Sequence, residues 1–250
     1  MQRDYWYTAA RDWRALEDVE SVGRLAAEKA VKRLGAGKLS TRKAPILFAP
    51  ELARGLIGHF VGAIGGAAQY RRSSFLLDAK GEQVFPEAIS LIERPHLRGA
   101  LGSAPFDGEG VATRDRELVV NGVLDGYLLD SYSARKLGLV TTGNAGGVHN
   151  LVVQGHMLDP KTLLRKLGTG LLVTEMMGQG VNPVNGDYSR GASGFWVENG
   201  EVTRPVHEIT VAGNLREMLR RIVAQGDDVD RRGAIHCGSL LLEEMTIAGD

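Results

Sequence analysis

Four stretches of the chain place apolar residues at helical spacing and end at residues that stop helices. In the first, Val22, Ala26 and Ala30 share a face and Gly35 follows; the second opens at Pro50, which suits a first helical turn. Asp159-Pro160 opens the third stretch and Asn214 precedes the fourth, as capping residues do. The sequence therefore predicts helices over residues 20–34, 49–64, 159–168 and 215–226.

Between these stretches, short apolar runs flank glycine-containing turns. Asn121-Gly122 and Asn199-Gly200 are the strongest of these signals, because a type I′ turn needs positive φ at both central residues. The pattern predicts three hairpins, which pair 75–77 with 83–85, 118–120 with 123–124, and 195–197 with 202–203. Since regular helices do not separate the strands of these hairpins, we expect an α+β fold: a mostly antiparallel sheet, several hairpins and about four helices.

The chain also changes character near its start. Residues 1–45 are more helical and more charged than the rest, and the Gly35–Lys38 and Arg42-Lys43 stretches resemble a hinge. We therefore expect a helical N-terminal segment over residues 1–45 and a main domain over residues 46–250.

Composition removes several classes of protein. The chain has 250 residues, with 30 Lys+Arg and 30 Asp+Glu, so its formal net charge is zero, which argues against direct nucleic-acid binding. No apolar run approaches the roughly 18 residues that span a bilayer, and the first residues lack a secretory pattern. A single cysteine, Cys237, excludes an internal disulfide framework. We expect a cytoplasmic protein without membrane contact.

Glycine, at 33 residues, is the unusual number, and it concentrates in two stretches. In the first, residues 177–194, glycines alternate with polar side chains. This pattern is typical either of a cavity wall that accepts an extended peptide or of a long loop that closes on a hairpin. The cavity candidates here are Gly178, Gln179, Gly180, Asp187, Tyr188, Ser189 and Arg190.

The second glycine-rich stretch is 141–150. It lacks the Lys-Ser/Thr of a P-loop and the GxGxxG spacing of a dinucleotide fold, so nucleotide binding is disfavoured. Its cavity candidates are Gly143, Asn144, Gly146, Gly147 and His149.

Cys237 and the six histidines are the remaining candidates for catalysis. His236 adjoins Cys237, but neighbouring residues of a strand point to opposite faces, so a Cys–His dyad would need another histidine. The chain has no HExxH helix, and its histidines are scattered singly. A buried, inert thiol is the simpler interpretation of Cys237.

Several motifs, taken in chain order, resemble one family. They are YSARKLG at 132–138, TGNAGG at 142–147, GDYSRGA at 186–192, FWVENG at 195–200, AGNL at 212–215 and CGS at 237–239. Together they resemble the C-terminal part of the TldD/PmbA metallopeptidase family, also called modulators of DNA gyrase, in its PmbA/TldE branch. The resemblance covers essentially the whole chain and implies a further N-terminal α/β domain in complete members.

The resemblance implies a specific activity. A PmbA/TldE-type chain pairs with a related TldD-type subunit in a heterodimeric zinc metallopeptidase that cleaves small or unfolded peptides. The TldD-type subunit holds the zinc through a helical His-Glu-x-x-x-His motif and a later cysteine. We therefore expect no cofactor in this chain and zinc in the partner.

The matching helix of this chain departs from that motif. Gly58 stands at the first histidine position, His59 at the glutamate position and Ala63 at the second histidine position, whereas Cys237 falls at the cysteine position. Two of three ligands and the general base are missing, so this degenerate metal site would leave zinc badly under-coordinated, and the chain alone should not hydrolyse peptides by this mechanism.

These expectations favour a non-catalytic subunit that shapes the substrate cavity, with a TldD-like subunit and a peptide as partners and homodimers possible for the chain alone. Two other functions stay open. One is an independent hydrolase that uses Cys237, and the other is a binding module that acts on gyrase.

Overall fold

The computed structural model describes residues 1–249 and builds them from six α-helices, one 3-10 helix and twelve strands. The helices are α1 (Val19–Lys32), α2 (Pro50–Ala63), α3 (Gly66–Tyr70), α4 (Ser131–Leu137), α5 (Pro160–Leu167) and α6 (Leu215–Arg220), with the 3-10 helix at Trp13–Ala15. The strands are β1 (Arg42–Phe48), β2 (Ser90–Glu93), β3 (Arg116–Val120), β4 (Val123–Leu124), β5 (Leu151–Gln154), β6 (Met157–Leu158), β7 (Gly170–Met177), β8 (Asp187–Glu198), β9 (Glu201–Asn214), β10 (Ile222–Gly226), β11 (Ile235–His236) and β12 (Leu240–Ala248).

Five strands close into a barrel-like ring. Strand β1 pairs parallel with β7 and antiparallel with β12, and the order β1-β7-β8-β9-β12 completes the circle. Strands β10 and β6 extend the sheet outward from β12. Closure leaves the long β8–β9 hairpin without a free edge, which removes a surface that could pair with other chains.

Alternation along the strands decides what each face of the ring packs against. Ile46 and Phe48 of β1 point into the main core, whereas Leu47 between them packs with Leu163 and Leu167 of α5 on the other face. Successive side chains of a strand point to opposite faces, so both faces of β1 are buried. This explains why β1 is an apolar run rather than an alternating one.

A second sheet has the order β11-β5-β2-β3-β4. Its buried residues, such as Leu91 and Leu118, belong to the same core cluster as Ile46 of the ring and Phe60 of α2. Helix α2 packs against both β7 and β11. The helix that carries the predicted degenerate metal site therefore lies between the two sheets.

The α+β class is confirmed, and so is the mainly antiparallel pairing, since eight of the eleven strand pairings within residues 1–249 are antiparallel. The pairs β1–β7, β10–β6 and β11–β5 are parallel, so neither sheet is purely antiparallel. The estimate of about four helices is low, since the short helices α3 and α4 were not predicted. Both are too short for helical periodicity to be visible in the sequence.

Three of the four predicted helices are confirmed as α1, α2 and α5. The fourth is wrong in its second half, because α6 ends at Arg220 and the chain continues as β10. Ile222 pairs with Leu242 of β12, so the β-branched residue that completed a helical pattern is held in a sheet. Tertiary pairing outweighs local periodicity there.

Two of the three predicted hairpins are confirmed. Asn121 and Gly122 have φ of +48° and +78° between β3 and β4, and Asn199 and Gly200 have +52° and +79° between β8 and β9. The hairpin over residues 75–85 is wrong, because that stretch forms successive turns. The amides of Val84 and Phe85 donate to Gly122 O instead of pairing with 75–77.

The predicted boundary between residues 45 and 46 falls inside β1, which begins at Arg42. The division into two parts stays a prediction. Within residues 1–249, every helix is too short or too polar to cross a membrane.

Candidate functional site

Helix α2 positions three of the four residues of the degenerate metal site. Pro50 at its first turn and Glu51 suit a helix start, and its buried face consists of Ala53, Leu56, Ile57, Phe60 and Ala63. Ala63 is buried at the end of the helix, whereas Gly58 and His59 are half-buried. A Cβ on Gly58 would lie 4.0 Å from Ile235 Cδ1, so α2 packs closely on the strand that leads to Cys237.

His59 faces the start of strand β8. Its ring lies 6.0 Å from the Tyr188 ring at an interplanar angle of 78°, an edge-to-face arrangement. Burial lowers the pKa of His59 below its ordinary value, and the positive charge of Arg190 lowers it further. The imidazole is therefore held in its neutral form near pH 7.

Tyr188 and Arg190 are alternate residues of β8 and share a face. Burial raises the pKa of the Tyr188 phenol, while the charge and hydrogen bond of Arg190 oppose that rise. Arg190 Nε donates to Gly178 O at 3.1 Å, and among residues 1–249 no carboxylate lies within ion-pair distance of the guanidinium. The structure thus brings the 177–194 stretch and helix α2 together at His59, Tyr188 and Arg190.

The 178–186 loop folds back on β8 through backbone bonds. Ser189 N donates to Gly180 O at 2.7 Å, and Asn182 N donates to Asp187 O at 2.8 Å. A Cβ on Gly180 would lie 1.8 Å from Ser189 O, so this position requires glycine. Asp187 accepts from Asn185 Nδ2 at 2.7 Å and steadies the turn.

A shallow groove of about 410 Å³ lies along this loop. Five of the seven predicted cavity residues of the stretch line it, and the full lining is Gln179, Gly180, Val181, Asn182, Asp187, Tyr188, Ser189 and Gly213. Gly178 and Arg190 adjoin it through the Arg190–Gly178 hydrogen bond. The loop closes on a hairpin, as one interpretation of the stretch has it, and its fold-back forms a groove; that this groove accepts an extended peptide stays a prediction.

Cys237 lies behind α2 and out of contact with solvent. Burial raises the pKa of its thiol strongly, the charge of Asp228 adds to that effect, and the Sγ–H donates to Gly238 O at 3.2 Å. His236 is also buried, its pKa is lowered chiefly by burial, and its Nε2 has no hydrogen-bond partner within residues 1–249. A protonated, enclosed thiol is neither a nucleophile nor a ready metal ligand.

The donor atoms of the degenerate metal site decide whether it could hold a zinc ion. Gly58 and Ala63 carry no ligand atom, His59 is a single imidazole, and Cys237 is a buried neutral thiol. Anywhere in the described part of the chain, no group of three or more His, Cys, Asp or Glu side chains is placed to hold a metal ion. The residues present do not fit the zinc site that the family motif implies.

The second glycine-rich stretch lies elsewhere, in the connection to strand β5. Asn144 Nδ2 donates to Glu93 Oε1 at 2.7 Å, and the backbone and ring nitrogens of His149 contact the same oxygen at 2.7 and 3.1 Å. Arg116 Nη1 donates to Asn144 Oδ1 at 2.8 Å. Gly143, Gly146 and Gly147 have φ of +73°, +109° and +118° and shape the loop around this buried network.

The structure does not bring the two glycine-rich stretches together. Within residues 1–249, no hydrogen bond or ion pair joins 141–150 to 177–190. Sequence reasoning also missed Glu93, the acceptor on which the second stretch converges. A buried carboxylate at the end of a four-residue strand leaves no pattern that distinguishes it from a surface one.

A cavity of about 360 Å³ beneath the first residues of the chain was also missed. Arg232 joins its walls: the guanidinium lies 4.1 Å from the Trp6 ring and 4.5 Å from the Tyr7 ring, and it donates to Tyr7 O at 2.8 Å. Lys29 Nζ lies 4.8 Å from the centroid of the same Trp6 ring. The adjacent aromatic residues Tyr5, Trp6 and Tyr7 were the visible signal, but their partners lie far along the chain.

Comparison with known proteins places this geometry in a family. Residues 41–249 match the model of the PmbA/TldA metallopeptidase C-terminal domain. The chain is 54% identical over 249 residues to the metalloprotease PmbA of Escherichia coli O157:H7, and 53% identical to a PmbA homolog of Haemophilus influenzae. All of this chain aligns, but it spans only 55% and 56% of those two proteins.

Solved structures agree. A crystal structure described as a modulator of DNA gyrase from Bacteroides thetaiotaomicron superposes with a TM-score of 0.92 at 32% identity, covering 98% of this chain and 55% of that one. TldE from Thermococcus kodakarensis superposes with a TM-score of 0.84 at 26% identity, covering 97% and 58%. From residues 41 to 249, the chain belongs to the PmbA/TldA metallopeptidase family as its C-terminal domain.

Proposed function

We propose that this chain is the C-terminal domain of a PmbA/TldE-type, non-catalytic subunit of a two-subunit zinc peptidase. The observation that carries the proposal is helix α2, where Gly58, His59 and Ala63 occupy the positions at which the family motif has His, Glu and His. The zinc would come from a TldD-like partner subunit. That zinc would supply the activated water for hydrolysis, and no residue of this chain would coordinate the metal.

The residues of this chain would shape and line the space in which a peptide is held. The groove beside the 178–186 loop is open enough for an extended chain, and Arg190 offers a cation without an acidic partner next to it. His59, neutral and half-buried, contributes a hydrogen-bonding ring rather than a charge. We propose small or unfolded peptides as substrates, held by backbone and side-chain contacts of this groove.

The alternative of an independent Cys237 hydrolase is opposed by the fold. A nucleophilic cysteine needs a lowered pKa and a path to substrate, whereas Cys237 is fully buried and its pKa is raised. A second hypothesis is a binding role connected with DNA gyrase, because a similar solved structure is described as a modulator of DNA gyrase. The zero net charge disfavours direct DNA contact.

The experiment is reconstitution. The protein is expressed with a TldD-like subunit from the same source, and peptide cleavage is measured for each subunit alone and for the pair. We expect cleavage only from the pair. Replacing the glutamate of the partner's His-Glu-x-x-x-His motif by glutamine should abolish cleavage, whereas His59→Ala and Cys237→Ala in this chain should leave zinc content unchanged.

Two results would contradict the proposal. Cleavage by the isolated chain that resists a chelator and disappears with Cys237→Ala would establish an independent hydrolase. Failure to associate with any TldD-like subunit, together with tight, salt-sensitive binding to DNA, would establish the binding-module hypothesis instead. A cytoplasmic location and self-association of the chain alone are further parts of the proposal, and size determination of the purified protein tests the latter.

A further inference from the structure

A cavity of about 530 Å³ lies beside the five-stranded sheet, apart from helix α2 and from the groove of the 178–186 loop. Three cationic side chains line it: Lys80, Arg114 and Arg116. Aliphatic residues Leu139 and Val140 line it as well. The cavity therefore combines positive charge with apolar surface, which is the composition of a site for an anion carried on an apolar body.

Arg116 is the fixed member of this set. Its side chain is only 13% exposed, its Nη1 donates to Asn144 Oδ1 at 2.8 Å, and its Nη2 donates to Tyr127 O at 3.0 Å. These bonds use two of the five N–H donors of a guanidinium. The remaining donors have no acceptor within hydrogen-bond distance among residues 1–249, so they are available to a ligand.

The charge of Arg116 is only weakly balanced by protein groups. The nearest carboxylate, Glu93, approaches with Oε2 at 3.9 Å, while its Oε1 is engaged by Asn144 and His149. Burial lowers the pKa of Arg116, the charge of Glu93 opposes that effect, the charge of Arg114 lowers the pKa further, and the charge of Asp125 raises it. The positive charges of Arg114 and Arg116 repel each other, so an anion bound between the two guanidinium groups would stabilise both charges.

Two acidic residues, Glu117 and Asp125, also line the cavity. Neither forms an ion pair within 4.0 Å in the described part of the chain, although the charge of Asp125 acts on Arg116 from a longer distance. Arg114 and Lys80 likewise have no ion-pair partner there. The lining itself carries three cations against two carboxylates, and the buried Glu93 beside Arg116 offsets part of that excess, so Arg114 and Lys80 are the cations without an ion-pair partner among residues 1–249.

The apolar part of the lining is exposed. Val140 is 81% accessible and Leu139 is 49% accessible, although both are large aliphatic residues next to a cavity. Water contact with such side chains is unfavourable, and a ligand with an aliphatic group would relieve it. A simple inorganic anion would engage the guanidinium groups and leave this surface uncovered.

From these observations we propose that the cavity binds a carboxylate attached to an aliphatic body, as at the C-terminus of a peptide that ends in leucine or valine. Arg114 and Arg116 contact the carboxylate, and Leu139 and Val140 contact the aliphatic side chain. The site is separate from the degenerate metal helix and needs neither zinc nor a partner subunit.

The test is an NMR titration of the isotope-labelled protein, without a partner, with acetyl-Ala-Leu and with its C-terminal amide. We expect shifts at residues 125–127 and 139–142, and an affinity for the free carboxylate at least about tenfold above that for the amide. Arg114→Gln should lower the affinity about tenfold, whereas the control Arg221→Gln, at an exposed pair with Glu217, should leave it unchanged.

Other arms of the titration distinguish simpler sites. Acetate and inorganic phosphate should bind at least about tenfold more weakly than acetyl-Ala-Leu, because they lack the aliphatic group. Equal affinity for phosphate would show a general anion site and overturn the peptide-like ligand. Equal affinity for the amide, or no effect of Arg114→Gln, would overturn the role of the guanidinium groups. Neither result bears on zinc or on the partner.

Discussion

The His59, Tyr188 and Arg190 cluster shows how neighbouring side chains set each other's properties. His59 is desolvated by the start of β8, and the Arg190 cation lies close enough to disfavour a second positive charge. The cluster thus keeps one permanent cation and one neutral imidazole next to the groove. The Arg190 cation can attract an anionic group and the neutral His59 imidazole can form a hydrogen bond, and both interactions suit a surface that holds a substrate.

Replacing Arg190 therefore has a directional effect on His59. Arg190→Gln removes a positive charge, so the pKa of His59 should rise toward its ordinary value while remaining lowered by burial. The measurement is an NMR titration of the His59 ring. Arg24→Gln on the exposed face of α1 is the control and should produce no shift. An unchanged or lower pKa for His59 in the Arg190 variant would show that the two groups do not interact.

Cys237 gives a second prediction at the residue scale. Because the thiol is fully buried and its pKa is raised, iodoacetamide should leave the folded protein unlabelled at pH 8. The same reagent should label one site per chain after denaturation, since the chain contains one cysteine. Rapid labelling of the folded protein, detected by mass spectrometry, would contradict the buried thiol and revive the cysteine-hydrolase hypothesis.

At the scale of elements, the β3–β4 turn is held by contacts that a residue pattern does not reveal. Gly122 has a φ of +78°, and a Cβ there would lie 2.2 Å from Phe85 O and 2.0 Å from Gln83 Nε2. The turn type was predictable from Asn121-Gly122. The packing of the 83–85 stretch over it was not, because that stretch looked like a hairpin of its own.

Gly122→Ala should consequently destabilise the protein more than Gly110→Ala. Both positions have positive φ, which costs alanine about 1–2 kcal/mol, but the space around Gly110 is open. The overlap with Phe85 O should add about 1–3 kcal/mol to the loss in the Gly122 variant. Urea unfolding of the two variants measures the difference, and equal losses would mean that the 83–85 stretch moves away freely.

The limits of sequence reasoning follow from the same elements. Helices α1, α2 and α5 have visible caps and periodicity, and two Asn-Gly hairpins have a turn that requires those residues. The sequence pattern predicts a helix where strand β10 lies, because Ile222 and Val223 continue a helical spacing and only pairing with β12 reveals a strand. Within the site, the meeting of His59 with Tyr188 was not predictable, since α2 and β8 lie far apart in the chain.

At the scale of the whole molecule, helix α1 is attached by charge rather than by apolar packing. None of its residues is buried, yet Arg33, its C-cap, is buried and forms ion pairs with Asp4 and with Glu175 of β7. The first residues of the chain, α1 and the closed sheet therefore meet at one guanidinium. Removing that group leaves Glu175 without its ion-pair partner and leaves Asp4 with Lys29 alone, at 3.8 Å.

Arg33→Ala should lower the free energy of unfolding by about 2–4 kcal/mol, toward the low end for a buried pair because Glu175 is partly exposed. Arg24→Ala is the matched control. It breaks an exposed pair with Glu28 on the same helix and should cost no more than about 0.5 kcal/mol. Thermal or urea unfolding compares the two, and similar losses would show that α1 is attached by other contacts.

The central claim is that this chain serves a zinc peptidase without holding the zinc itself. The most direct test is to capture the tagged protein from its native lysate, separate it from its partner, and count zinc in each chain by mass spectrometry. We predict zinc at about one equivalent in a co-purified chain that carries His-Glu-x-x-x-His, and far less than one equivalent in this protein. Stoichiometric zinc bound to this protein alone would contradict the account.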